Sequence, residues 1–216
     1  MSGLEHLLRG NRSWSESLRS RDAEHFSRWA ERQAPEVFWI GCCDSRVPVP
    51  QMVDADASQL FVLRNIANLA DPADPAVASA LEYAVDVLGV GNVVVCGHES
   101  CGGVQAALSG DAPESVGRWI STLRWRLAVD GRWLEDLDPS ERLGVACRLN
   151  VVEQIHTLAH SETIRNAWRR GLSLELHGWL YDLKTGLITV LVPPISATTD
   201  LDASRRAARA ALLEPE

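Results

Sequence analysis

Two short apolar runs constrain the fold of this chain more than any other feature. Val37-Phe38-Trp39-Ile40-Gly41-Cys42 and Asn92-Val93-Val94-Val95-Cys96 are apolar at odd and even positions alike. As strands they would be buried on both faces, which is the place of an inner strand in a parallel sheet covered by helices. Leu60-Phe61-Val62-Leu63-Arg64 is a third run of strand length. From Pro75 onward Val77, Leu81, Ala84, Val85 and Leu88 recur on one helical face, closed by Gly89. Strand, helix, strand with a glycine-rich exit at Gly97 to Gly103 describes a right-handed parallel unit.

The flanking segments fill in the architecture. Residues 1–34 place Leu4, Leu7, Leu8, Trp14, Leu18, Phe26 and Trp29 at helical spacing, and Pro35 ends that pattern. Helices are expected over Glu114 to Val129, from Asp138-Pro139-Ser140-Glu141 onward, and over Ser161 to Arg170. Asp138 three residues before Glu141, with proline between them at the first helical position, is an N-terminal capping pattern. Leu172 to Tyr181 and Leu187 to Val192 flank the five residues Asp182 to Gly186, which predicts a hairpin, and residues 201–213 predict a last helix. The expectation is an α/β fold with a central, mostly parallel β-sheet, an antiparallel edge strand, flanking α-helices and an N-terminal helical arm. One domain spans 1–216: the arm at 1–34, a ligand-bearing α/β core at 35–110, and a helical region with the C-terminal hairpin at 111–216.

Composition excludes several functions. With 21 basic and 29 acidic residues the formal charge is −8, and no Lys/Arg run is long enough to track a phosphate backbone, so no nucleic-acid partner is expected. No apolar stretch approaches the length of a spanning helix, and residues 1–30 carry charges throughout, so neither a membrane segment nor a secretory signal is read. Five cysteines are an odd number. Without a secretory signal they argue against a disulfide framework and for reduced thiols, metal ligands or nucleophiles in the cytoplasm.

Two motifs carry chemistry. Cys42-x-Asp44-x-Arg46 follows the first strand and His98-x-x-Cys101 the third. In open parallel sheets ligands bind at the carboxyl ends of strands, where strand order reverses. Two cysteines, a histidine and a carboxylate there are ligand types of a tetrahedral zinc site. Cys101 also falls near a helix N-terminus, which favours the thiolate. A closed structural zinc site would use the same ligands, although such sites usually come as two Cys-x-x-Cys knuckles and only one short-spaced pair exists. Cys96 and Cys147, in apolar contexts, read as inert core thiols, and His6, His25, His156 and His160 as surface or helix-face residues. Nucleotide binding at Gly97 to Gly103 fails on spacing.

Cys42-x-Asp44-Ser45-Arg46, Arg64-Asn65-x-x-Asn68 and Gly97-His98-x-x-Cys101-Gly102-Gly103 together resemble the β-class carbonic anhydrases. Asn11-Arg12-x-Trp14, Tyr83-Ala84-Val85 and Leu176-His177-Gly178-Trp179-Leu180-Tyr181-Asp182 extend the likeness over most of the chain. The resemblance implies a zinc enzyme interconverting CO2 and bicarbonate by attack of zinc-bound hydroxide, with one Zn2+ per subunit on Cys42, His98 and Cys101. Asp44 and Arg46 are then the catalytic pair. Held by Arg46, Asp44 orients the hydroxide; released, it becomes the fourth zinc ligand of a closed state. Trp39, Arg64 and Tyr181 match a subgroup that binds a second, non-catalytic bicarbonate and is inhibited by it allosterically; otherwise the two rings are core aromatics and Arg64 a structural charge.

By the same matching Gln33 is a substrate-binding amide across a subunit boundary, and Phe61, Ile66 and Tyr83 line a narrow apolar pocket suited to CO2. Gly102 and Gly103 are positions where a missing side chain permits close approach. Membership of the subgroup implies a homodimer or homotetramer, in keeping with six tryptophans on predicted helices, more than a small monomer comfortably buries. Cys43 departs from the family, which commonly has a small residue there. Two alternatives keep some of these residues: hydrolysis of a CO2 analogue such as carbon disulfide or carbonyl sulfide, and a non-catalytic zinc or redox-sensing protein using Cys42, Cys43 and Cys101.

Overall fold

The computed structural model describes residues 3–129 and 132–212. The chain divides into two compact units, Met1–Ala34 and Pro35–Glu216. The first holds α1 (Glu5–Arg21) and α2 (His25–Glu31). Its rings pack edge to face, Phe26 lying 5.5 Å from Trp14 and 5.8 Å from Trp29 between centroids, yet no residue of either helix is buried.

The second unit is built on a sheet of β1 (Val37–Cys42), β2 (Leu60–Asn65), β3 (Asn92–His98), β4 (Glu175–Tyr181) and β5 (Ile188–Ile195), in the order β2-β1-β3-β4-β5. The first four are parallel and β5 pairs antiparallel with β4, as the sequence predicts. Phe38, Ile40, Cys42, Val93 and Val95 face the larger core, while Trp39, Val94 and Cys96 face a smaller one with Val47, Val49 and Tyr181. Both faces of β1 and β3 are thus buried, and each of these apolar side chains contributes roughly 1.5–3 kcal/mol. The chain leaves β1 toward β2 on one side and β3 on the other, so the carboxyl ends of β1 and β3 flank the reversal of strand order.

The helices are α3 (Val49–Met52), α4 (Pro75–Glu82), α5 (Gly102–Ser109), α6 (Glu114–Trp119), α7 (Ser121–Val129), α8 (Pro139–Ala159), α9 (Glu162–Arg169) and α10 (Leu201–Ala211). Asp138 caps α8 as its sequence predicts, accepting the Ser140 N–H at 2.9 Å. The helix from Pro75 continues past α4 as a π-helical turn, Tyr83–Leu88, before Gly89 closes it at φ +69°. The helix expected over Glu114 to Val129 is two helices, broken at Ile120, which leaves helical geometry at ψ 9° and is fully buried. β4 starts at Glu175 rather than Leu172, whose N–H instead closes α9 on the Ala167 carbonyl. β5 runs through Pro193 and Pro194 to Ile195, which an edge strand tolerates. Among the described residues no helix is long and apolar enough to cross a membrane.

Candidate metal centre

Cys42 ends β1, His98 ends β3, and Cys101 is the N-cap residue of α5. The two sulfurs are 3.9 Å apart, and with the His98 ring the three ligand atoms lie within 4.8 Å of one another, all on buried residues. His98 Nδ1 sits 2.9 Å from the Glu99 carbonyl, so it donates its proton there and leaves a lone pair on Nε2. That nitrogen is buried without a hydrogen-bond partner. A buried acceptor left orphaned beside two sulfurs is open to a cation, and two cysteines with one histidine are zinc ligands by type. The residues fit zinc.

The sulfurs are prepared as a pair. The Cys101 thiol donates to Cys42 and holds it well below the ordinary thiol range, against the effect of burial. Cys101 is pushed up in turn, first by that hydrogen bond to Cys42 and then by burial. A divalent cation would replace the shared proton. Burial is the largest single influence on His98 and works against its protonation, but the Cys42 sulfur, the Glu99 backbone and the Asp44 carboxylate together raise its pKa.

Asp44 stands next to the cluster, its Oδ2 3.9 Å from His98 Nε2. Arg46 grips it twice, Nε to Oδ1 at 2.9 Å and Nη2 to Oδ2 at 2.7 Å, and the Arg46 backbone N–H adds a bond of 2.9 Å to Oδ1. This fork holds the carboxyl well below the usual carboxylate range. Arg64 supports the same turn, donating to the Cys42 carbonyl at 2.7 Å and the Asp44 carbonyl at 2.6 Å. Trp39 and Tyr181 belong to the smaller core, and the alternation along β2 puts Arg64 on that face of the sheet too. The indole Nε1 of Trp39 is buried without a hydrogen-bond partner.

Phe61 stacks between Phe38 and Tyr83, at 5.7 and 5.8 Å, while Ile66 and Tyr83 remain exposed. Gly103 is a close-approach position: a Cβ there would meet Ile66 Cγ2 at 2.7 Å. Gly102 is not, since a Cβ would meet nothing within 4 Å, because the first residue of α5 points away from the loop that crowds the second. Gln33 lies in the N-terminal unit and is exposed. Cys96 and Cys147 are core thiols pushed up to about 12 by burial, and Cys43 is exposed and unpaired.

A sequence model of the family described as "Carbonic anhydrase" matches residues 37–188. A carbonic anhydrase of Emericella nidulans is 35% identical over 185 residues, covering 85% of this chain and 81% of that protein. The chain belongs to the β-class carbonic anhydrases. A Pseudomonas aeruginosa carbonic anhydrase is 36% identical over 77% of each chain. A Coccomyxa β-carbonic anhydrase solved with acetazolamide superposes with a TM-score of 0.87 at 34% identity, over 94% of this chain and 96% of that one. One of two tetrameric β-carbonic anhydrases from Sordaria macrospora gives 0.85 at 34% identity, over 91% and 100%. As a member of this family the chain is a carbonate dehydratase.

Sequence reasoning misses the loop behind Cys42. Ala67 and Asn68, both fully buried, take φ values of +66° and +46°, a left-handed conformation that costs a residue with a Cβ roughly 1–2 kcal/mol. Nothing in an alanine announces such a turn. The available signal was Asn150 and Gln154, amides four residues apart and so on one face of α8.

Proposed function

We propose that the chain hydrates CO2 reversibly with one zinc per subunit held by Cys42, His98 and Cys101, that Asp44 and Arg46 orient and gate the fourth position, and that a second bicarbonate inhibits it. The observation that carries this reading is the orphaned His98 Nε2 between two paired sulfurs, with the Asp44 carboxylate 3.9 Å away. Zinc bound there supplies the Lewis acidity that ionises a water molecule near neutral pH for attack on CO2.

The residues of the chain do the rest. Arg46 keeps Asp44 ionised and aimed, so that Oδ2 can accept a hydrogen bond from a donor in the site and fix its orientation. Phe61, Ile66 and Tyr83 offer CO2 an apolar wall and keep water sparse. If Arg46 releases the carboxylate, Asp44 is near enough to take the fourth position itself and block the site. The indole N–H of Trp39 lacks an acceptor, and a bicarbonate oxygen is one. Gly41 leaves room for that indole, since a Cβ there would come within 2.9 Å of Nε1. Arg64 and the Tyr181 phenol complete a set of donors for a small anion, and occupancy beside the Asp44 turn would favour its release.

A homodimer or homotetramer is part of the reading, supported by tetrameric relatives and by apolar Val62, Ile66, Tyr83 and Val87 left exposed in the second unit. So is residence in the cytoplasm, where five unpaired cysteines stay reduced. The test is one set of preparations assayed for zinc content and for CO2 hydration by stopped flow. Cys101→Ala should lose most of its zinc, and Arg46→Ala should keep zinc while losing at least tenfold in turnover, about 1.4 kcal/mol of transition-state stabilisation. Full zinc content in the first variant, or near-wild-type turnover in the second, would refute the assignment.

A further inference from the structure

Between His98 and Cys101 lies the turn Glu99-Ser100, and its backbone conformation is unfavourable. Ser100 takes φ +56° although its side chain is exposed. Left-handed geometry at a residue with a Cβ persists only where the surroundings enforce it, and an exposed serine brings no packing of its own. The peptide unit joining Glu99 to Ser100 carries the carbonyl that accepts the His98 Nδ1 proton at 2.9 Å. The φ of Ser100 is one of the angles that aim this rigid plane. The strain therefore sits in the very group that orients the histidine.

Glu99 is the residue through which the turn is held. Its N–H donates to the Tyr181 carbonyl at 3.0 Å, which carries the pairing of β3 with β4 one residue past His98. Its side chain reaches α8, where two residues one turn apart receive it. Arg148 Nη2 lies 3.3 Å from Glu99 Oε1. Gly144 leaves room for the other oxygen, since a Cβ there would stand 3.2 Å from Oε2. Both side chains of the ion pair are 23% exposed, so solvent screens the attraction less than at an open surface. Relief of the strain at Ser100 requires Glu99 to shift or its carbonyl to turn, and either change loosens the grip on His98. The bond to Tyr181 resists from the sheet, and the ion pair resists from α8.

We propose that Arg148 is a positioning residue for the metal centre: by holding the Glu99 carboxylate against α8 it keeps the Glu99 carbonyl on His98 Nδ1, and so keeps Nε2 turned toward the two sulfurs. The inference rests on the zinc reading above. It is tested on the full chain loaded with cobalt(II), through the exchangeable, paramagnetically shifted Nδ1 proton of His98 and through cobalt affinity in competition with a chelator. Wild type should show that proton as a resonance in slow exchange with water. Arg148→Met keeps an aliphatic stem and removes the charge. It should speed the exchange and weaken cobalt binding, each about tenfold, the lower end of what losing an outer partner costs a metal-bound histidine. Glu99→Met should do the same, and adding Arg148→Met to it should change neither quantity by more than about twofold, because two residues acting through one contact are not additive. Unchanged exchange and affinity in folded Arg148→Met would overturn the proposal, even if its melting temperature fell. So would an equal further loss when that substitution is added to Glu99→Met, or a wild-type Nδ1 proton that exchanges too fast to be seen, which needs no variant to fold. A wild-type chain that takes up no cobalt would instead overturn the metal reading beneath it.

Discussion

His156 should make this protein lose stability in mild acid by an amount the structure predicts. The ring lies on α8, only 3% exposed, and neither nitrogen has a hydrogen-bond partner among the described residues. Burial lowers its pKa from 6.5 to about 4; Glu153 and Asp202 pull it up, Arg205 and His160 push it further down, and burial dominates. The unfolded chain therefore binds a proton near pH 6.5 that the folded chain refuses until about pH 4. Stability falls as pH drops through that window, at up to roughly 1.36 kcal/mol per pH unit. The loss amounts to about 2 kcal/mol between pH 7 and pH 5, and about 3 kcal/mol once both states are protonated. His156→Leu removes the titration while keeping the site filled. Urea unfolding of wild type and variant at both pH values, at one fixed protomer concentration because oligomers gain stability by mass action, gives a double difference in which all other titrating groups cancel. The variant should lose about 2 kcal/mol less than the wild type. Parallel pH dependences for the two proteins would show that the ring is not held neutral, and the argument from burial would fail.

Three further outcomes test separate parts of the structure. Trp39→Phe keeps an aromatic ring against Trp179, 5.7 Å away, but loses the indole donor; inhibition by bicarbonate should weaken about tenfold, the equivalent of one bond to a charged acceptor, and an unchanged inhibition constant would remove Trp39 from the anion site. Glu153, buried on α8, is paired with Arg205, with Arg209 at 3.1 Å and with Arg126 at 3.8 Å. Glu153→Gln leaves these cations facing a neutral amide and should cost about 3–5 kcal/mol in denaturant unfolding, with a cost below about 1 kcal/mol counting against the cluster as the anchor of α10. Gly103→Ala should cost about 1–3 kcal/mol by overpacking against Ile66 and Ala67 and lower zinc retention. Gly102→Ala, with open space around its Cβ, should stay within about 0.5 kcal/mol of wild type, and equal effects would contradict the packing described for the start of α5.

The parts of the fold legible in the sequence are those that a local pattern determines. Val37–Cys42 and Val93–Cys96 lack alternation because both sheet faces are covered, and that absence is itself the mark of a parallel interior. Cys42, His98 and Cys101 were legible because metal ligands are few in type and parallel strands deliver them to one edge of the sheet. The break at Ile120 was not, since no proline or capping pattern marks it within Glu114 to Val129. Nor was the grouping of Arg126, Arg205 and Arg209 on Glu153, whose members lie 27 to 56 residues away along the chain.

Ala67 belongs with these, and it shows why the division matters for the chemistry. Ligand identity is written in residue type, so it can be read at the motif. The conformation of the loop behind Cys42 cannot: Ala67 is left-handed there, and its carbonyl is held by Asn150 from 83 residues away. A substitution at Asn150 would therefore leave every motif intact and still loosen the loop packed against Gly103.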